Sequence, residues 1–131
     1  MVIDTSALLA ILLDEPERRA FNEAIEMADE RVMSAATFVE CSIVVEARFG
    51  AAGVADLDRF LAAAEIDIVP VDLEQARAAR TAFSLYGKRR HEAALNYGDC
   101  FSYALAKVLG SPLLYEGDDF SRTDAAAATA R

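Results

Sequence analysis

The chain begins with a short apolar run that ends at once on a carboxylate. Val2 and Ile3 are followed by Asp4, and apolar residues then recur at helical spacing over 7–13. This pattern predicts a buried strand followed by a helix, with Asp4 at the carboxyl end of the strand. In open α/β sheets ligands bind at that edge, because several strands and helix amino ends meet there. The next question is whether other acids reach the same edge.

The rest of the chain alternates strand and helix patterns. A turn at 14–17, whose Pro and acids suit a helix start, separates the first helix from a second that runs to about residue 29. The later elements are expected as strands at 31–34, 66–71 and 112–115 and helices at 35–49, 53–64, 73–86 and 99–109. Such alternation predicts an α/β fold, with a parallel sheet covered on both faces, in a single domain over 1–131. For the alanine-rich end, from about 124 to 131, we expect a frayed helix or a disordered tail.

Charge and apolar content bear on location and partners. The 131 residues carry a formal net charge of −9, which argues against a surface that coats nucleic acid or membrane nonspecifically, since such surfaces are normally basic. No apolar run approaches the roughly 20 residues of a membrane span, and the start lacks a signal-peptide pattern, so we expect a cytoplasmic protein. Cys41 and Cys100 lack metal-site spacing and are expected to be reduced, buried thiols.

Four further acids occupy notable positions, although each has an ordinary explanation. Glu40 lies on a helix face whose residues three, four and seven positions onward are apolar, so it must pair with a cation, bind a metal or face a cleft. Asp99 stands at the start of a predicted helix, where an Asp is a favoured N-cap. Asp118 and Asp119 follow the last predicted strand, in a turn where acids are common. Asp4 could likewise cap the first helix.

The joint pattern of these acids is harder to explain by capping alone. In a right-handed parallel sheet, strand ends and the starts of the following helices share one edge, so the acids are expected to converge. Converging carboxylates repel and take up protons unless a divalent cation neutralises them. Mg²⁺ and Mn²⁺ prefer oxygen ligands and combine a few carboxylates with phosphate oxygens. The sequence thus predicts a site, with one ion or two, suited to phosphodiester hydrolysis.

Four motifs together resemble the PIN-domain ribonucleases, specifically the VapC toxins of type II toxin–antitoxin systems. They are VIDTSAL at 2–8, SAATFVE at 34–40, NYGDCF at 96–101 and GDDF at 117–120. The resemblance implies a PIN-like α/β/α sandwich with a mostly parallel sheet of about five strands, and a Mg²⁺-dependent endoribonuclease. It also implies that Asp4, Glu40 and Asp99 are metal-binding and catalytic, with Asp118 preferred to Asp119 as the fourth acid.

The same resemblance implies partners. These are an RNA substrate, a second copy of the toxin in a homodimer, and a VapB-type antitoxin that often inserts a basic residue into the acidic site. Thr5 or Ser6 could position a water or a phosphate oxygen. Lys88, Arg89 and Arg90 form the best basic cluster for contacting RNA phosphates without reading sequence.

Two other functions are compatible with parts of the pattern. A phosphoryl-transfer enzyme of the haloacid dehalogenase type also begins with a strand-borne Asp, but it needs a second Asp two residues later, where this chain has Ser6. The alternative that stays open is a catalytically silent PIN-fold binding module, whose acids cap helices and engage a basic peptide. Carboxylate-dependent binding of Mg²⁺ or Mn²⁺ distinguishes the enzyme from the binding module.

Overall fold

The computed structural model describes residues 1–129 as a parallel sheet between two layers of helices. Its elements in chain order are β1 (Val2–Ile3), α1 (Thr5–Leu12), α2 (Arg18–Met27), β2 (Val32–Ser34), α3 (Ala35–Ala63), β3 (Asp67–Val69), α4 (Leu73–Tyr86), α5 (Tyr97–Leu109) and β4 (Leu113–Leu114). One 3-10 turn, Phe120–Arg122, follows β4. The predicted alternation of strands and helices is therefore the observed one.

The sheet has the strand order β3-β2-β1-β4, and every pair is parallel. Val2 pairs with Val32 on one side and with Leu113 on the other. The chain thus runs outward from β1 to β3 and then returns to the opposite side of β1. This reversal places the topological switch point between β1 and β4, where open α/β sheets hold their ligands. The predicted fold class is confirmed, with four strands in place of about five.

The alanine-rich end accounts for the missing fifth strand. The Leu113 N–H donates to the Ala126 carbonyl at 2.8 Å, and the Ala128 N–H donates to the Leu113 carbonyl at 2.9 Å. These bonds form one isolated parallel bridge, between Leu113 and Ala127. Alanine has low strand propensity and little side chain to pack, so the pairing stops there. Residues 124–129 form neither a helix nor a regular strand, and the last two residues of the predicted tail lie outside the described residues.

Two apolar clusters lie on opposite faces of the sheet, because adjacent strand residues point to opposite sides. Ile3 packs with Leu8 and Phe21 in a cluster formed mainly by α1, α2 and α3. Val2 packs with Leu105 in a second cluster formed mainly by α4 and α5. The central strand β1 is therefore buried on both faces. Packing on both sides of the sheet fixes the position of Asp4, which directly follows this strand.

The observed helix ends can be compared with the boundaries predicted from the sequence. The two predicted helices at 35–49 and 53–64 form one element, α3, with a break at Gly50, whose φ of 67° and ψ of −160° suit glycine alone. Gly110 closes α5 in the left-handed conformation. Cys41 and Cys100 are buried and unpaired, as predicted. In the described part of the chain, every helix is too short or too polar to cross a bilayer.

Candidate acidic site

Asp4 links the end of β1 to the start of α1. Its Oδ2 accepts the Ser6 N–H at 3.1 Å and the Ser6 hydroxyl at 2.7 Å, so Asp4 does cap α1. Its Oδ1 accepts the Ser102 hydroxyl, from α5, at 2.6 Å. The residue is only 3% exposed. A carboxylate this deeply buried usually has a cationic partner, yet the hydrogen-bond donors around Asp4 are all neutral.

Glu40 projects from α3 toward the same region. Its Oε1 accepts the Thr5 hydroxyl at 2.6 Å, which connects α3 to the first residue of α1. Its Oε2 lies against the backbone of Gly98, where an added Cβ would be 1.7 Å away. The missing side chain at position 98 is therefore what lets the Glu40 carboxylate reach the first turn of α5.

Asp99 is the third residue of α5 and takes part in a capping box. Asn96 is the N-cap, in place of the predicted Asp99, because its side-chain oxygen accepts the Asp99 N–H at 2.8 Å. The Asp99 Oδ2 in turn accepts the Asn96 N–H at 3.0 Å. The other carboxylate oxygen of Asp99 takes no part in the capping box. Capping thus accounts for one carboxylate oxygen of Asp99. The residue is buried, with 9% of its surface exposed.

The electrostatics of Asp99 show that the acids act on one another. Burial raises the pKa of Asp99 to about 7, although the bond from the Asn96 N–H lowers that pKa. The charges of Asp4, Asp119 and Glu40 raise the pKa of Asp99 further. Burial also raises the pKa of the Cys41 thiol to about 12, with the charges of Asp4 and Glu40 adding to the effect. Negative charge from four separate segments is therefore concentrated in one place.

The turn after β4 contains both candidates for the fourth acid. Asp118 and Asp119 are both exposed, but Asp119 is the one whose charge raises the pKa of Asp99. The Glu116 N–H donates to the Ser6 hydroxyl at 3.0 Å, which ties the start of this turn to the hydroxyl that holds Asp4. This electrostatic relation favours Asp119 as the fourth acid, whereas the sequence pattern favours Asp118.

The charge of these acids is not neutralised by protein cations. Within residues 1–129, the ion pairs of Lys and Arg involve other acids, at the surface. In the same described region, no three His, Cys, Asp or Glu side chains form a group that could hold a metal ion as they stand. The acids lie close enough to affect one another's charge, but their side chains do not form a complete set of metal ligands. Binding a cation therefore requires a side-chain rotation or additional ligands from water or substrate.

The predicted basic cluster lies in the loop between α4 and α5. Lys88, Arg89 and Arg90 are all exposed there, and the Arg90 guanidinium lies 5.7 Å from the centre of the Phe83 ring. Arg122 donates to the Glu92 carbonyl at 3.3 Å, which connects this loop to the segment just after Asp119. The loop therefore belongs to the same end of the molecule as the acids, while its side chains make no ion pair with them in the described structure.

Sequence reasoning missed three residues that shape the site. Ser102 and Thr37 supply buried hydroxyls next to Asp4, and Gly98 makes room for Glu40. A signal for the hydroxyls does exist, because Thr37 precedes Glu40 by three residues and Ser102 follows Asp99 by three. Residues three apart on a helix lie on one face, so a hydroxyl at that spacing from a helix-borne acid indicates the same site.

Comparisons with known proteins agree with the fold and the motifs. The sequence model of the PIN domain family matches residues 1–126. The chain is 55% identical over 126 residues to ribonuclease VapC30 of Mycobacterium tuberculosis, covering 96% of each chain. Among solved structures, VapC20 of the same organism, a sarcin-ricin loop cleaving toxin, has a TM-score of 0.75 at 14% identity and 95% coverage of both chains. A toxin–antitoxin complex from Klebsiella pneumoniae has a TM-score of 0.69 at 18% identity, covering 94% of this chain and 92% of the other.

The two solved structures support the sandwich fold. The 55% sequence identity to ribonuclease VapC30 shows that the chain is related to the VapC ribonucleases. The residues that frame the acidic site all lie within the matched range 1–126. The chain therefore belongs to the PIN-domain family and, within that family, to the VapC ribonucleases of toxin–antitoxin systems.

Proposed function

We propose that this chain is a Mg²⁺-dependent endoribonuclease toxin that hydrolyses RNA phosphodiester bonds. The observation that carries the proposal is a concentration of acids, with Asp4 and Asp99 buried, in which Asp4, Glu40 and Asp99 accept bonds from neutral hydroxyls and backbone N–H groups. Burial raises the pKa of Asp99, the charges of Asp4, Asp119 and Glu40 raise it further, and no Lys or Arg pairs with these acids in the described residues. Such an arrangement is costly by itself and is relieved by a bound divalent ion.

The donor set fits Mg²⁺ or Mn²⁺, since every polar side-chain atom that the acids offer is an oxygen. Asp4, Glu40 and Asp99 would hold the ion, with Asp119 or Asp118 as the fourth acid. When bound, such an ion lowers the pKa of an attacking water and stabilises negative charge on the leaving oxygen. Mn²⁺ shares this ligand preference and is expected to substitute for Mg²⁺.

The protein's own side chains have separable tasks in this proposal. Ser6 and Ser102 orient the Asp4 carboxylate, each with a bond of 2.7 Å or less. Thr5 holds one oxygen of Glu40, and the other oxygen, which lies beside Gly98 at the start of α5, is the one proposed to bind the ion. Arg89 and Lys88 are free at the surface to position RNA phosphates, a contact that carries no sequence information.

Removing divalent ions tests the proposal directly. The purified chain is expected to cleave single-stranded or looped RNA, to lose that activity completely in excess EDTA, and to regain it when Mg²⁺ or Mn²⁺ is added back. Cleavage is measured by resolving end-labelled fragments, and EDTA already saturated with Mg²⁺ is the control. A silent module that binds a basic peptide predicts no cleavage and no calorimetric heat on metal addition. Cleavage that persists in excess EDTA would contradict the metal requirement.

Adding a methyl group at position 98 tests the role of Glu40. Gly98→Ala is expected to lower kcat/KM for RNA at least about 10-fold, because its Cβ occupies the place of the Glu40 Oε2 and misplaced supporting geometry costs about that much. The fold should survive, since the end of the Glu40 side chain can turn aside and Ala favours a helix over Gly by about 1 kcal/mol.

The matched control for Gly98→Ala is the same substitution in a Glu40→Ala background. If position 98 acts through Glu40, the double variant should have the activity of Glu40→Ala alone. An equal, multiplicative loss from Gly98→Ala in both backgrounds would show that position 98 acts by another route.

The proposal includes an antitoxin of the VapB type. The toxin–antitoxin complex from Klebsiella pneumoniae supports this, because it shares the fold. Val39, Ile43 and Phe49 are exposed along α3, and Val39 and Ile43 line a groove formed by residues of that helix. A segment with an apolar face and basic ends would match this groove and the net charge of −9.

We also include a homodimer and a cytoplasmic site of action. The support for the dimer is an apolar cleft of about 330 Å³ between α4 and α5, lined in part by Phe83, Tyr97 and Phe101. Apolar surface of this kind commonly marks protein interfaces. A toxin that hydrolyses cellular RNA acts where that RNA is found, which is the basis for assigning the cytoplasm.

A further inference from the structure

We infer that Thr37 and Ser102 are positioning residues that fix the orientation of Asp4 for cation binding, an inference that rests on the proposed function. The two hydroxyls lie 3.1 Å apart, and the Ser102 hydroxyl is 2.6 Å from the Asp4 Oδ1. Both residues are buried, Ser102 fully and Thr37 to within 1%. Together with Asp4 they form a buried chain of hydrogen bonds, here called the hydroxyl relay.

The direction of the hydroxyl relay follows from the chemistry of its ends. An ionised carboxylate has no proton to donate, so it can only accept. The single hydroxyl proton of Ser102 therefore points to Asp4, and the Ser102 oxygen must accept from Thr37. Thr37 donates to Ser102, and Ser102 donates to Asp4. A chain with one fixed direction is stiffer than a pair of hydroxyls that can exchange roles.

The relay decides which oxygen of Asp4 is available. The Oδ2 atom already accepts two bonds from Ser6, whereas within residues 1–129 Oδ1 accepts the bond from Ser102 alone. Each carboxylate oxygen has about two lone-pair positions, so Oδ1 is the atom with one still open. By holding Oδ1 on one side, Ser102 leaves the open lone pair at a fixed angle to the site.

The relay also joins the three elements that carry the acids. Thr37 lies on α3 one turn before Glu40, and Ser102 lies on α5 one turn after Asp99, while Asp4 ends β1. The bonds between them hold α3, α5 and β1 in register at the acidic site. Because all the donors are neutral, the relay orients Asp4 and leaves its charge uncancelled, as cation binding requires.

A purely structural reading is that two buried hydroxyls simply satisfy each other's hydrogen bonds. A matched pair of substitutions at position 37 separates the two readings. Thr37→Val keeps the shape of the side chain and loses the hydroxyl, whereas Thr37→Ser keeps the hydroxyl and loses a methyl group. Each variant gives up one buried interaction, so we expect similar losses in thermal stability.

The experiment measures Mn²⁺ affinity by calorimetry and RNA cleavage for the wild type and both variants. Thr37→Val is expected to bind Mn²⁺ about 10-fold more weakly, with a matching fall in kcat/KM, while Thr37→Ser stays within about two-fold of the wild type. Ser102→Ala, which removes the bond to Asp4 itself, should weaken Mn²⁺ binding by about 10- to 100-fold.

The possible outcomes test the hydroxyl relay and the proposed function separately. Equal Mn²⁺ affinities for Thr37→Val and Thr37→Ser, with a wild type that binds metal and cleaves RNA, would overturn the relay and leave the proposed function standing. A wild type that neither binds Mn²⁺ nor cleaves RNA would overturn the proposed function, and the relay with it. Affinities that follow thermal stability across all three variants would assign the hydroxyls a structural role only.

Discussion

Replacing Asp4 with Asn is expected to reduce RNA cleavage at least about 100-fold while the protein stays folded. Loss of a group that only supports a metal ligand typically costs 10- to 100-fold, so loss of the ligand's charge should cost at least as much. Asn can still accept the Ser6 N–H, which preserves the cap of α1. With that oxygen placed toward Ser6, the amide nitrogen faces Ser102 and cannot accept from its hydroxyl, but removing one of several repelling charges offsets that lost bond.

The measurement for Asp4→Asn combines kcat/KM on end-labelled RNA with the thermal unfolding midpoint. Asp14→Asn is the matched control, because Asp14 lies exposed beyond the other end of α1, in an ion pair with Arg18. Its activity should match that of the wild type. Full cleavage by Asp4→Asn, from protein prepared without wild-type contamination, would remove Asp4 from the site.

Replacing Asp99 with Asn is expected to change how the stability of the metal-free protein depends on pH. The folded pKa of Asp99 is about 7, well above the value of about 3.9 for an unfolded Asp. The folded chain therefore holds a proton that the unfolded chain has released between these values. The resulting stabilisation is fully present below about pH 4 and is lost as the pH rises through about 7.

Relative to the wild type, Asp99→Asn should therefore gain stability as the pH is raised. We expect a relative gain of about 2 kcal/mol between pH 5 and pH 8, after allowing for solvent screening, which corresponds to roughly 5 to 10 °C in the unfolding midpoint. Saturating Mg²⁺ should stabilise the wild type by about 2 to 3 kcal/mol at 100 times its Kd. The variant should gain far less.

The measurement is thermal unfolding of both proteins from pH 5 to pH 8 in EDTA, repeated with excess Mg²⁺. Comparing wild type and variant at each pH cancels the titration of carboxylates that lie outside the acidic site. Parallel pH profiles in EDTA would mean that Asp99 titrates normally in the folded chain, and the crowding of acids around it would then be weaker than the structure indicates.

The position of Asp4 was predictable because strand and helix patterns have different periods and meet there. Glu40 was recognisable because a carboxylate on an apolar helix face is unusual. The N-cap of α5 was not placed correctly, since Asn96 and Asp99 are both good capping residues and only the folded turn decides between them. The boundary moved by two residues as a result.

Other features depend on contacts between distant parts of the chain. The bond from Ser102 to Asp4 spans 98 residues in sequence, so the spacing of Ser102 from Asp99 can associate Ser102 with the site but cannot identify Asp4 as its partner. The fit of Glu40 against Gly98 likewise arises only when α3 and α5 pack together. The choice between Asp118 and Asp119 depends on how a short turn folds after β4. The strand count fell to four because the alanines at the end of the chain form a single bridge.

The edges of the sheet restrict how any partner can bind. The outer strand β3 has only three residues, begins with the exposed Asp67 and is followed by Pro70, features that discourage pairing with a further strand. On the opposite side, the backbone of Leu113 is already bonded to Ala126 and Ala128. Strand addition is thus disfavoured at both sides, so we expect the proposed antitoxin and the proposed second copy of the chain to bind through helices or loops. The same two edges also protect a toxin released from its complex against strand-to-strand aggregation.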